Sequence, residues 1–541
     1  MTFKNNSSEW WRGAVIYQIY PRSYQDTNGD GVGDIVGITK RIPHIASLGV
    51  DAIWISPFFP SPMKDFGYDV SDYCDIDPIF GTLDDFDNMV STAHSHGLRI
   101  MIDLVLSHTS DQHAWFQESL LSRDNPKSDW YVWSDAKPDG SPPNNWLSIF
   151  GGTAWQWHPK RCQYYLHNFL SSQPDLNFHN EEVKKALLDV AKFWLERGVN
   201  GFRLDTINFY MHDEQLRDNP PLPEENRNSV IAPAVNPYNH QKHLYDKNQI
   251  ENLEFLRDLR AVMDPYNAAA VGEVGDDQLG MEILGQYTAG DDLMHMCYAF
   301  EFLANDRPSG TDIESVMQRF EKVANHGWAC WAFSNHDTPR HASRWDLAPQ
   351  SLKTMTNLMM CLKGSACIYQ GEELGLEQAE VGFEDLQDPY GIEFWPEYKG
   401  RDGCRTPMVW DANEENAGFT TGKPWLPISQ DHFKNTVDVM EKQQDSLLHH
   451  YRAAIKLRND YSALRKGQCS PVNAKNDIVF FTRSNEVQEI FCAFNLSDSP
   501  VELALPSTDM QLLGSNIGAY NGEISDSIQL APWQTFVALK N

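Results

Sequence analysis

The chain has 541 residues, of which 41% are hydrophobic and 22% are charged, a balance typical of a globular protein with a large core. Its 75 acidic residues exceed its 44 Lys and Arg residues, and the net charge of −31 argues against nucleic acid or an anionic membrane as a partner, since both need basic surfaces. The same excess of acid suits a salt-rich cytoplasm or ordinary conditions, and charge alone does not choose between them.

Nine cysteines are scattered without short paired spacings, so neither a disulfide framework nor a zinc site is indicated. Residues 1–12 lack the apolar stretch of a signal peptide, and no run of 18 apolar residues occurs anywhere in the chain. We therefore predict reduced thiols, no membrane-spanning helix and a cytoplasmic location.

Short apolar runs alternate about eight times with amphipathic segments, which is the pattern of a parallel sheet closed by βα units. The predicted strands are 15–22, 52–57, 99–107, 201–208, 268–274, 295–302, 329–335 and 366–370. The predicted helices include 83–96, 181–197, 251–263, 311–324 and 351–362. The sequence therefore predicts an α/β protein with a (β/α)₈ barrel, the TIM-barrel fold.

Two stretches interrupt this alternation. Residues 109–177 are rich in Trp, Pro, Gly, Asn and Asp and follow the third strand, which predicts a loop-rich insert over the active face of the barrel. Residues 375–427 are also irregular and precede helical segments around 430–464. Beyond residue 467, short alternating strands at 478–483, 489–495 and 500–505 predict an all-β appendage. The predicted domains are a barrel (1–108 and 178–465), the insert (109–177) and a C-terminal β-sandwich (466–541).

The loop Asp-Thr-Asn-Gly-Asp-Gly-Val-Gly-Asp, residues 26–34, places oxygen-bearing side chains at alternate positions, as hard cations require. It begins like an EF-hand loop, but its twelfth position is Gly37 instead of a bidentate Glu, and a strand precedes it. We predict one structural Ca²⁺ or Mg²⁺ site outside the EF-hand class. Its ligands would be Asp26, Asn28, Asp30, Asp34 and the carbonyl of Val32; the alternative is a polar loop without metal.

Polar side chains cluster at the C-terminal ends of four predicted strands, where barrel enzymes hold their catalytic groups. They are Asp103, Ser107 and His108; Arg203 and Asp205; Glu273; and Asn335, His336 and Asp337. Residues two apart in a strand share a face, so Arg203 would lie beside Asp205 and keep its carboxylate ionised. This pair alone could be a structural ion pair, and a lone strand-terminal His is more often a core residue. Together the set predicts one catalytic pocket.

Three carboxylates with His, but without Cys or a third His, favour glycoside chemistry over zinc hydrolysis. That reaction needs one ionised and one protonated carboxyl group. Asp205 would be the ionised one. Glu273 has no adjacent cation in the sequence and has acidic neighbours across the pocket, so its pKa is predicted to be raised and it would be the acid. No organic cofactor is predicted.

Four segments carry a resemblance to a known family: Asp-Leu-Val-Leu-Ser-His at 103–108, Gly-Phe-Arg-Leu-Asp at 201–205, Gly-Glu at 272–273 and Phe-Ser-Asn-His-Asp at 333–337. They resemble the signature regions of the α-amylase family, glycoside hydrolase family 13. Gln-Pro-Asp-Leu-Asn at 173–177 resembles a fifth region, as found in the oligo-1,6-glucosidase and α-glucosidase branch. In that family the insert and the β appendage are domains B and C.

The resemblance implies Asp205 as nucleophile, Glu273 as general acid and then base, and Asp337 as the carboxylate that holds ring hydroxyls. It implies hydrogen bonds from His108, His336 and Arg203 to the bound glucose or the nucleophile. It further implies a pocket closed by Asp65 and Tyr68, an arginine facing the sugar at Arg405, apolar walls at Phe150 and Phe169, and the metal loop at Asp26, Asn28, Asp30, Val32 and Asp34.

Two positions depart from the family pattern. Ser107 stands where the first signature usually has Asn, which puts part of that hydrogen-bond network in question. Thr206 follows the nucleophile where relatives of oligo-1,6-glucosidase carry Val, and the resemblance links Thr there to a preference for α-1,4 linkages.

We therefore expect a retaining exo-α-glucosidase that acts on short α-1,4-linked oligosaccharides such as maltose, with glucosyl transfer as a side activity and with the two catalytic carboxyl groups about 5 to 5.5 Å apart. The alternatives are an oligo-1,6-glucosidase, a sucrose isomerase or dedicated transglucosylase, and an inactive relative serving as a transporter subunit. The last is disfavoured because Asp205, Glu273 and Asp337 are all present. The expected partner is a small oligosaccharide, and the expected assembly is a monomer or homodimer.

Overall fold

The computed structural model describes residues 3, 7–303, 306–324, 327–475 and 477–541. Eight parallel strands form one sheet, in the order seventh, eighth, first, second, third, fourth, fifth and sixth. An isolated parallel bridge between Cys297 and Ala329 joins the sixth strand to the seventh and so nearly closes the barrel. The strands are Val15–Ile19, Ala52–Ile55, Arg99–Leu104, Gly201–Leu204, Ala269–Glu273, Met296–Tyr298, Cys330–Ala332 and Ser365–Tyr369. The predicted barrel is confirmed, with most strands shorter than predicted.

Helices pack around the barrel and also occur in the insert, in residues 375–427 and in the segment before the C-terminal strands. They are Ile35–Leu48, Leu83–Ser95, Ala114–Ser119, Glu181–Glu196, Asn252–Met263, Gly280–Tyr287, Gly310–Val323, His341–Arg344, Pro349–Cys361, Pro389–Glu393, Asp402–Arg405, Val437–Lys442, Leu447–Asp460 and Ser462–Lys466. The five helices predicted from the sequence are all present. The helix at Ile35–Leu48 was not among them; it begins directly after the predicted metal loop, where Asp34 caps it by accepting a hydrogen bond from the Gly37 amide at 2.6 Å.

Alternate strand residues point into the barrel and build a layer of buried side chains beneath its C-terminal face. Ile16, Trp54, Met101 and Val271 belong to this interior cluster. Gly201 opens the fourth strand, and a Cβ there would lie 2.2 Å from the Ala269 carbonyl oxygen of the fifth. Close pairing of the fourth and fifth strands therefore requires glycine, and this pairing fixes the position of the catalytic segment that follows.

Three excursions from the barrel form a roof over the C-terminal face. The insert contains a small antiparallel sheet of Trp133–Ser134, Gln163–Leu166 and Trp155–His158. A second excursion, residues 205–251, was not predicted. It packs against the insert, with the Asn236 side chain donating to the Ile149 carbonyl at 2.7 Å. Residues 375–427 supply the third, and Tyr390 from it shares an apolar cluster with Phe150 and Phe169.

The C-terminal part is all-β, as predicted. Its strands are Gln468–Cys469, Asn473–Lys475, Ile478–Ser484, Glu489–Asn495, Val501–Ala504, Met510–Leu512, Ser527–Leu530 and Thr535–Lys540, in a six-stranded and a two-stranded antiparallel sheet. Asn357 of the helix Pro349–Cys361 donates to the Thr535 hydroxyl at 3.0 Å and ties this part to the barrel. Residues 1, 2 and 4–6, which the predicted barrel domain includes, lie outside the described residues, as do 304, 305, 325, 326 and 476.

All nine cysteines are free thiols. Within the part of the chain that the structure describes, no helix has the length and apolar character needed to cross a membrane.

Candidate active site

A cavity of about 420 Å³ opens between the C-terminal ends of the barrel strands and the roof. Nine of the residues with predicted roles line it: Asp65, Tyr68, His108, Phe150, Phe169, Asp205, Thr206, Glu273 and Asp337. Three others, Arg203, His336 and Arg405, are fully buried behind this wall. The structure thus brings side chains from distant parts of the sequence to one pocket, with charged groups on one part of its surface and aromatic rings on another.

Arg203 is the cation at the base of the site. Its Nη1 lies 2.9 Å from Asp103 Oδ1 and 2.5 Å from Asp205 Oδ1, so the predicted pairing of Arg203 with Asp205 is confirmed. Its Nη2 lies 2.6 Å from Glu273 Oε2. The prediction that Glu273 has no adjacent cation is therefore wrong, because the cation comes from the neighbouring strand. Contact with Arg203 does not by itself distinguish the nucleophile from the acid.

Burial makes the carboxyl groups at the base of the site harder to ionise than exposed ones. Burial raises the pKa of Glu273 to about 7; Arg203 opposes this shift, whereas the charges of Asp205 and Asp337 add to it. Burial also raises the pKa of Asp205, again against Arg203. One guanidinium facing three buried carboxyl groups cannot compensate all of their charges. Arg203 therefore favours the ionised form of Asp205, as the sequence predicted, but burial of the carboxyl group opposes this effect.

Thr206 touches both of these carboxyl groups. Its amide donates to Glu273 Oε2 at 3.1 Å, and its hydroxyl donates to Asp205 Oδ2 at 3.2 Å. Its φ of 38° lies in the left-handed region, which is unusual for a β-branched residue and is typical of strained positions at functional sites. Ser107 lies 3.2 Å from the Thr206 hydroxyl and 2.9 Å from His108 Nδ1, so the shorter side chain still connects these two residues.

Asp337 lies between two arginines and a histidine on another part of the cavity wall. Arg405 Nη2 is 2.7 Å from its Oδ1, Arg401 Nη1 is 3.2 Å from the same oxygen, and His336 Nε2 is 3.2 Å from its Oδ2. Burial alone would raise the pKa of Asp337, but the contact with His336 Nε2 and the charges of Arg401 and Arg405 hold it below its usual value. Asp337 is therefore held in its ionised form.

Of the two arginines in this loop, Arg401 lines the cavity, whereas the resemblance implied that Arg405 would face the sugar. Arg401 lines the cavity and bridges Asp337 to Asp65, with its Nη2 at 2.8 Å from Asp65 Oδ1. Arg405 lies behind Asp337, where its Nε donates to the His336 carbonyl at 2.7 Å. The two arginines are one helical turn apart, and only the packing of the loop decides which of them reaches the cavity.

The two predicted histidines occupy different layers. His108 lines the cavity, and its Nε2 lies 2.9 Å from the Tyr68 carbonyl. His336 reaches the cavity only through its neighbours, at 2.6 Å from the Tyr68 hydroxyl and beside Asp337. Burial lowers the pKa of His108 to about 4 and that of His336 to about 3, so both rings are neutral at physiological pH. His336 therefore supports the wall and does not face the cavity.

Sequence reasoning missed several residues of the site. Tyr298 contacts both Arg203 and Glu273, and Asp388 holds Arg401 at 2.7 Å. The cavity is also lined by Phe209, Tyr390 and residues 229–234. The sixth strand ends in Tyr298 and contributes no charged residue to the predicted pocket, so the position of Tyr298 at a strand end was the one signal that the sequence offered.

The predicted metal loop is folded around its own side chains. Asp26 accepts hydrogen bonds from the amides of Asn28 at 2.9 Å, Gly29 at 2.8 Å and Gly31 at 2.9 Å. Both oxygens of Asp34 are engaged, one by the cap of the helix Ile35–Leu48 and one by the Thr27 amide at 2.8 Å.

These oxygen donors suit a hard cation in type and number. However, no group of three or more His, Cys, Asp or Glu side chains positioned to hold a metal occurs among the described residues. The loop therefore has the donor atoms that a hard cation needs but not the arrangement of a formed metal site, and the metal site stays a prediction.

An eight-stranded barrel with a carboxylate-lined pocket at its C-terminal face defines an enzyme of the α/β-barrel class. Residues 18–467 match a family model described as the catalytic domain of α-amylase. A probable α-glucosidase of Rhizobium meliloti is 60% identical over 98% of this chain and 97% of its own length. An oligo-1,6-glucosidase of Heyndrickxia coagulans is 37% identical over 94% and 96%. The solved structure of XgtA, described as an α-glucosyl transfer enzyme, is 51% identical with a TM-score of 0.95 and covers 98% of this chain and 99% of that one.

The chain belongs to the α-amylase family, glycoside hydrolase family 13, as its motifs predicted. Within that family it falls in the α-glucosidase and oligo-1,6-glucosidase branch.

Proposed function

We propose that the protein is a retaining exo-α-glucosidase that removes glucose from the non-reducing end of short α-1,4-linked oligosaccharides and also transfers the glucosyl group to other hydroxyls. The observation that carries the proposal is the ion-paired wall Asp65–Arg401–Asp337. These three side chains line the cavity, and Arg401 contacts both carboxylates, so on that side a bound sugar meets fixed charges instead of space for a further sugar unit. Such a closed wall favours removal of terminal units over cleavage within a chain.

The catalytic steps assign one role to each carboxyl group. Asp205 attacks the anomeric carbon as the glycosidic bond breaks, and Glu273 gives its proton to the departing oxygen. The product is a β-glucosyl ester on Asp205. Glu273, now ionised, takes a proton from water or from an acceptor hydroxyl, whose oxygen attacks the anomeric carbon and releases Asp205. Contact of both carboxyl groups with one guanidinium supports the short separation that retention requires.

The decisive experiment is product analysis by chromatography on maltose, isomaltose, sucrose, trehalose and maltotriose, with NMR detection of the first-formed anomer. We expect α-glucose as the first product, higher kcat/KM on maltose than on isomaltose, and only terminal cleavage of maltotriose. Initial release of β-glucose would refute retention. An isomeric disaccharide as the main product from sucrose would instead identify a sucrose isomerase.

A dedicated transglucosylase is the second candidate, because XgtA, at 51% identity, is described as an α-glucosyl transfer enzyme. The two functions share every catalytic group and differ in which acceptor reaches the β-glucosyl intermediate. The ratio of released glucose to released aglycone from an aryl α-glucoside separates them at low acceptor concentration. A ratio near one favours hydrolysis, and a ratio far below one favours transfer.

Replacing Thr206 tests the linkage preference. Thr206→Val removes the hydroxyl that contacts Asp205 and Ser107 at the cavity wall. If this hydroxyl also binds α-1,4-linked substrates and not α-1,6-linked ones, the ratio of kcat/KM on maltose to that on isomaltose should fall by about fivefold, the effect of one hydrogen bond of about 1 kcal/mol. Thr206→Ser keeps the hydroxyl and should keep the ratio. If the valine variant leaves the ratio unchanged, Thr206 does not determine linkage.

We also propose that the loop at Asp26, Asn28, Asp30, Val32 and Asp34 binds one structural Ca²⁺ or Mg²⁺. Removal of the ion by a chelator should lower Tm by about 2–4 °C, since an ion at about a hundred times its Kd stabilises a fold by about 2.7 kcal/mol. Asp30→Ala should lower Tm and abolish the effect of the chelator. Asp139→Ala removes a comparable exposed loop carboxylate that accepts from the Ser141 amide, and should leave the effect intact. Elemental analysis that finds no bound metal in the wild type would end the proposal.

A further inference from the structure

Tyr298 ends the sixth barrel strand and lies in the layer directly beneath the site, with 4% of its surface exposed. Its hydroxyl accepts hydrogen bonds from Arg203 Nη2 at 2.8 Å and from Arg203 Nε at 3.2 Å. The same hydroxyl donates to Glu273 Oε1 at 2.9 Å. Tyr298 is thus held between the cation at the base of the site and the proposed acid and base.

The direction of these bonds follows from the chemistry of the partners. A guanidinium stays protonated in proteins and has only donors, so towards Arg203 the phenol oxygen can only accept. Its single hydrogen is left for Glu273. A hydrogen bond donated to a carboxyl oxygen favours the ionised form of that group over the protonated form.

Of the other groups that face Glu273, some favour its ionised form and others favour its protonated form. Arg203 Nη2 and the Thr206 amide donate to its Oε2, whereas the carboxyl groups of Asp205 and Asp337 repel its charge, and burial disfavours that charge. Among the donors in the described contacts, Tyr298 alone binds Oε1. It therefore fixes the orientation of this carboxyl group and opposes the effect of burial.

We propose that Tyr298 is a positioning residue that orients Glu273 and favours the ionised form, which must accept a proton in the second half of the reaction. The inference rests on the proposed function, in which Glu273 is first the acid and then the base. It adds a specific expectation, because a change at Tyr298 should alter the pH dependence and not only the rate.

The sign of the change follows from the two roles. As an acid, Glu273 must be protonated, so the first half of the reaction fails above its pKa. Tyr298→Phe removes a donor to the charged form and raises that pKa. The basic limb of kcat/KM against pH should therefore move up by about one unit, the size expected for one hydrogen bond to a charged group. Glucosyl-enzyme breakdown should slow by up to about tenfold at pH values below the pKa that Glu273 has in that intermediate.

The test measures kcat/KM for an aryl α-glucoside across the pH range, together with Tm, for Tyr298→Phe and for a matched control. Tyr287→Phe serves as the control, because it removes a buried hydroxyl that accepts from Asn252 at 3.0 Å. The proposal predicts a shifted limb in the first variant only. A folded Tyr298→Phe variant with an unshifted limb overturns it.

A second measurement covers the case in which Tyr298→Phe does not fold. Fluorotyrosine introduced at position 298 keeps nearly the shape of tyrosine but is a stronger donor, and it should move the basic limb to lower pH. A limb that stays in place or moves up contradicts the proposal.

The Glu273→Gln background separates failure of this inference from failure of the proposed function. It is assayed with the same aryl α-glucoside as the wild type, one with an acidic phenol as leaving group, so that the variant keeps measurable activity and any change in the limb comes from the enzyme and not from the substrate. If Glu273 is the acid, Glu273→Gln abolishes the basic limb, and adding Tyr298→Phe produces no further shift. If the limb persists in Glu273→Gln, the assignment of the acid is wrong. If the limb is lost there but Tyr298→Phe alone shifts nothing, only the role of Tyr298 is wrong.

Discussion

Asp205→Ala should retain less than about one-hundredth of wild-type activity on an aryl α-glucoside, since a covalent nucleophile contributes at least that factor. The side chain lines the cavity and contacts Arg203 at 2.5 Å, so its loss removes the attacking oxygen and leaves the guanidinium with Asp103 and Glu273. KM should change far less than kcat, because the missing group acts on the reacting bond.

Rescue of activity by azide shows which role each carboxyl group has, in addition to the loss of activity when it is removed. In Asp205→Ala, azide should attack the substrate directly and give β-glucosyl azide. In Glu273→Ala, azide should attack the glucosyl ester on Asp205 and give α-glucosyl azide. Asp213→Ala is the control, because Asp213 is a buried carboxylate paired with Arg217 and does not line the cavity. Activity of Asp205→Ala above about one-hundredth, or azide products of the opposite configuration, would reject the assignment.

Arg203→Leu should lower the free energy of unfolding by about 3–5 kcal/mol, the usual cost of removing one partner from a buried ion pair. Arg203 is fully buried and contacts Asp103, Asp205 and Glu273, so its loss leaves three carboxyl groups without their shared cation. The pKa values of Asp205 and Glu273, which Arg203 lowers against burial, should rise further in the variant.

The pH dependence of this loss has a definite sign. Carboxyl groups with a pKa raised in the folded state bind more protons there than in the unfolded state, so their contribution to stability falls as pH rises through that interval. The loss of unfolding free energy in Arg203→Leu, relative to the wild type, should therefore be smaller near pH 5 than at pH 8. Urea unfolding of both proteins at the two pH values measures this loss. Arg458→Leu is the matched control, because Arg458 is fully buried but donates to the carbonyls of Gly13, Met360 and Gly364. A deficit of Arg203→Leu that does not change with pH would contradict the electrostatic explanation.

The sequence alone predicted those features that depend on the periodic spacing of residues along a strand. Gly201, Arg203 and Asp205 are two residues apart and therefore lie on one face of a strand. This spacing alone predicted that the guanidinium and the carboxylate would meet. The eight strand runs predicted the barrel, and polar residues at their C-terminal ends predicted which side chains would share a pocket. The short motifs added the family, because their residue types and order along the chain are specific even without coordinates.

Only the tertiary structure decided which groups each of these side chains faces. Arg203 meets Glu273 because the fourth strand pairs with the fifth, and Arg401 reaches the cavity where Arg405 does not because the loop around them is held by Asp388. Tyr298 became part of the site because the sixth strand places it beside Arg203. Sequence determines the face of an element on which a side chain lies. The charge balance of a buried group depends on neighbours from other strands and on burial, and both are properties of the packed fold.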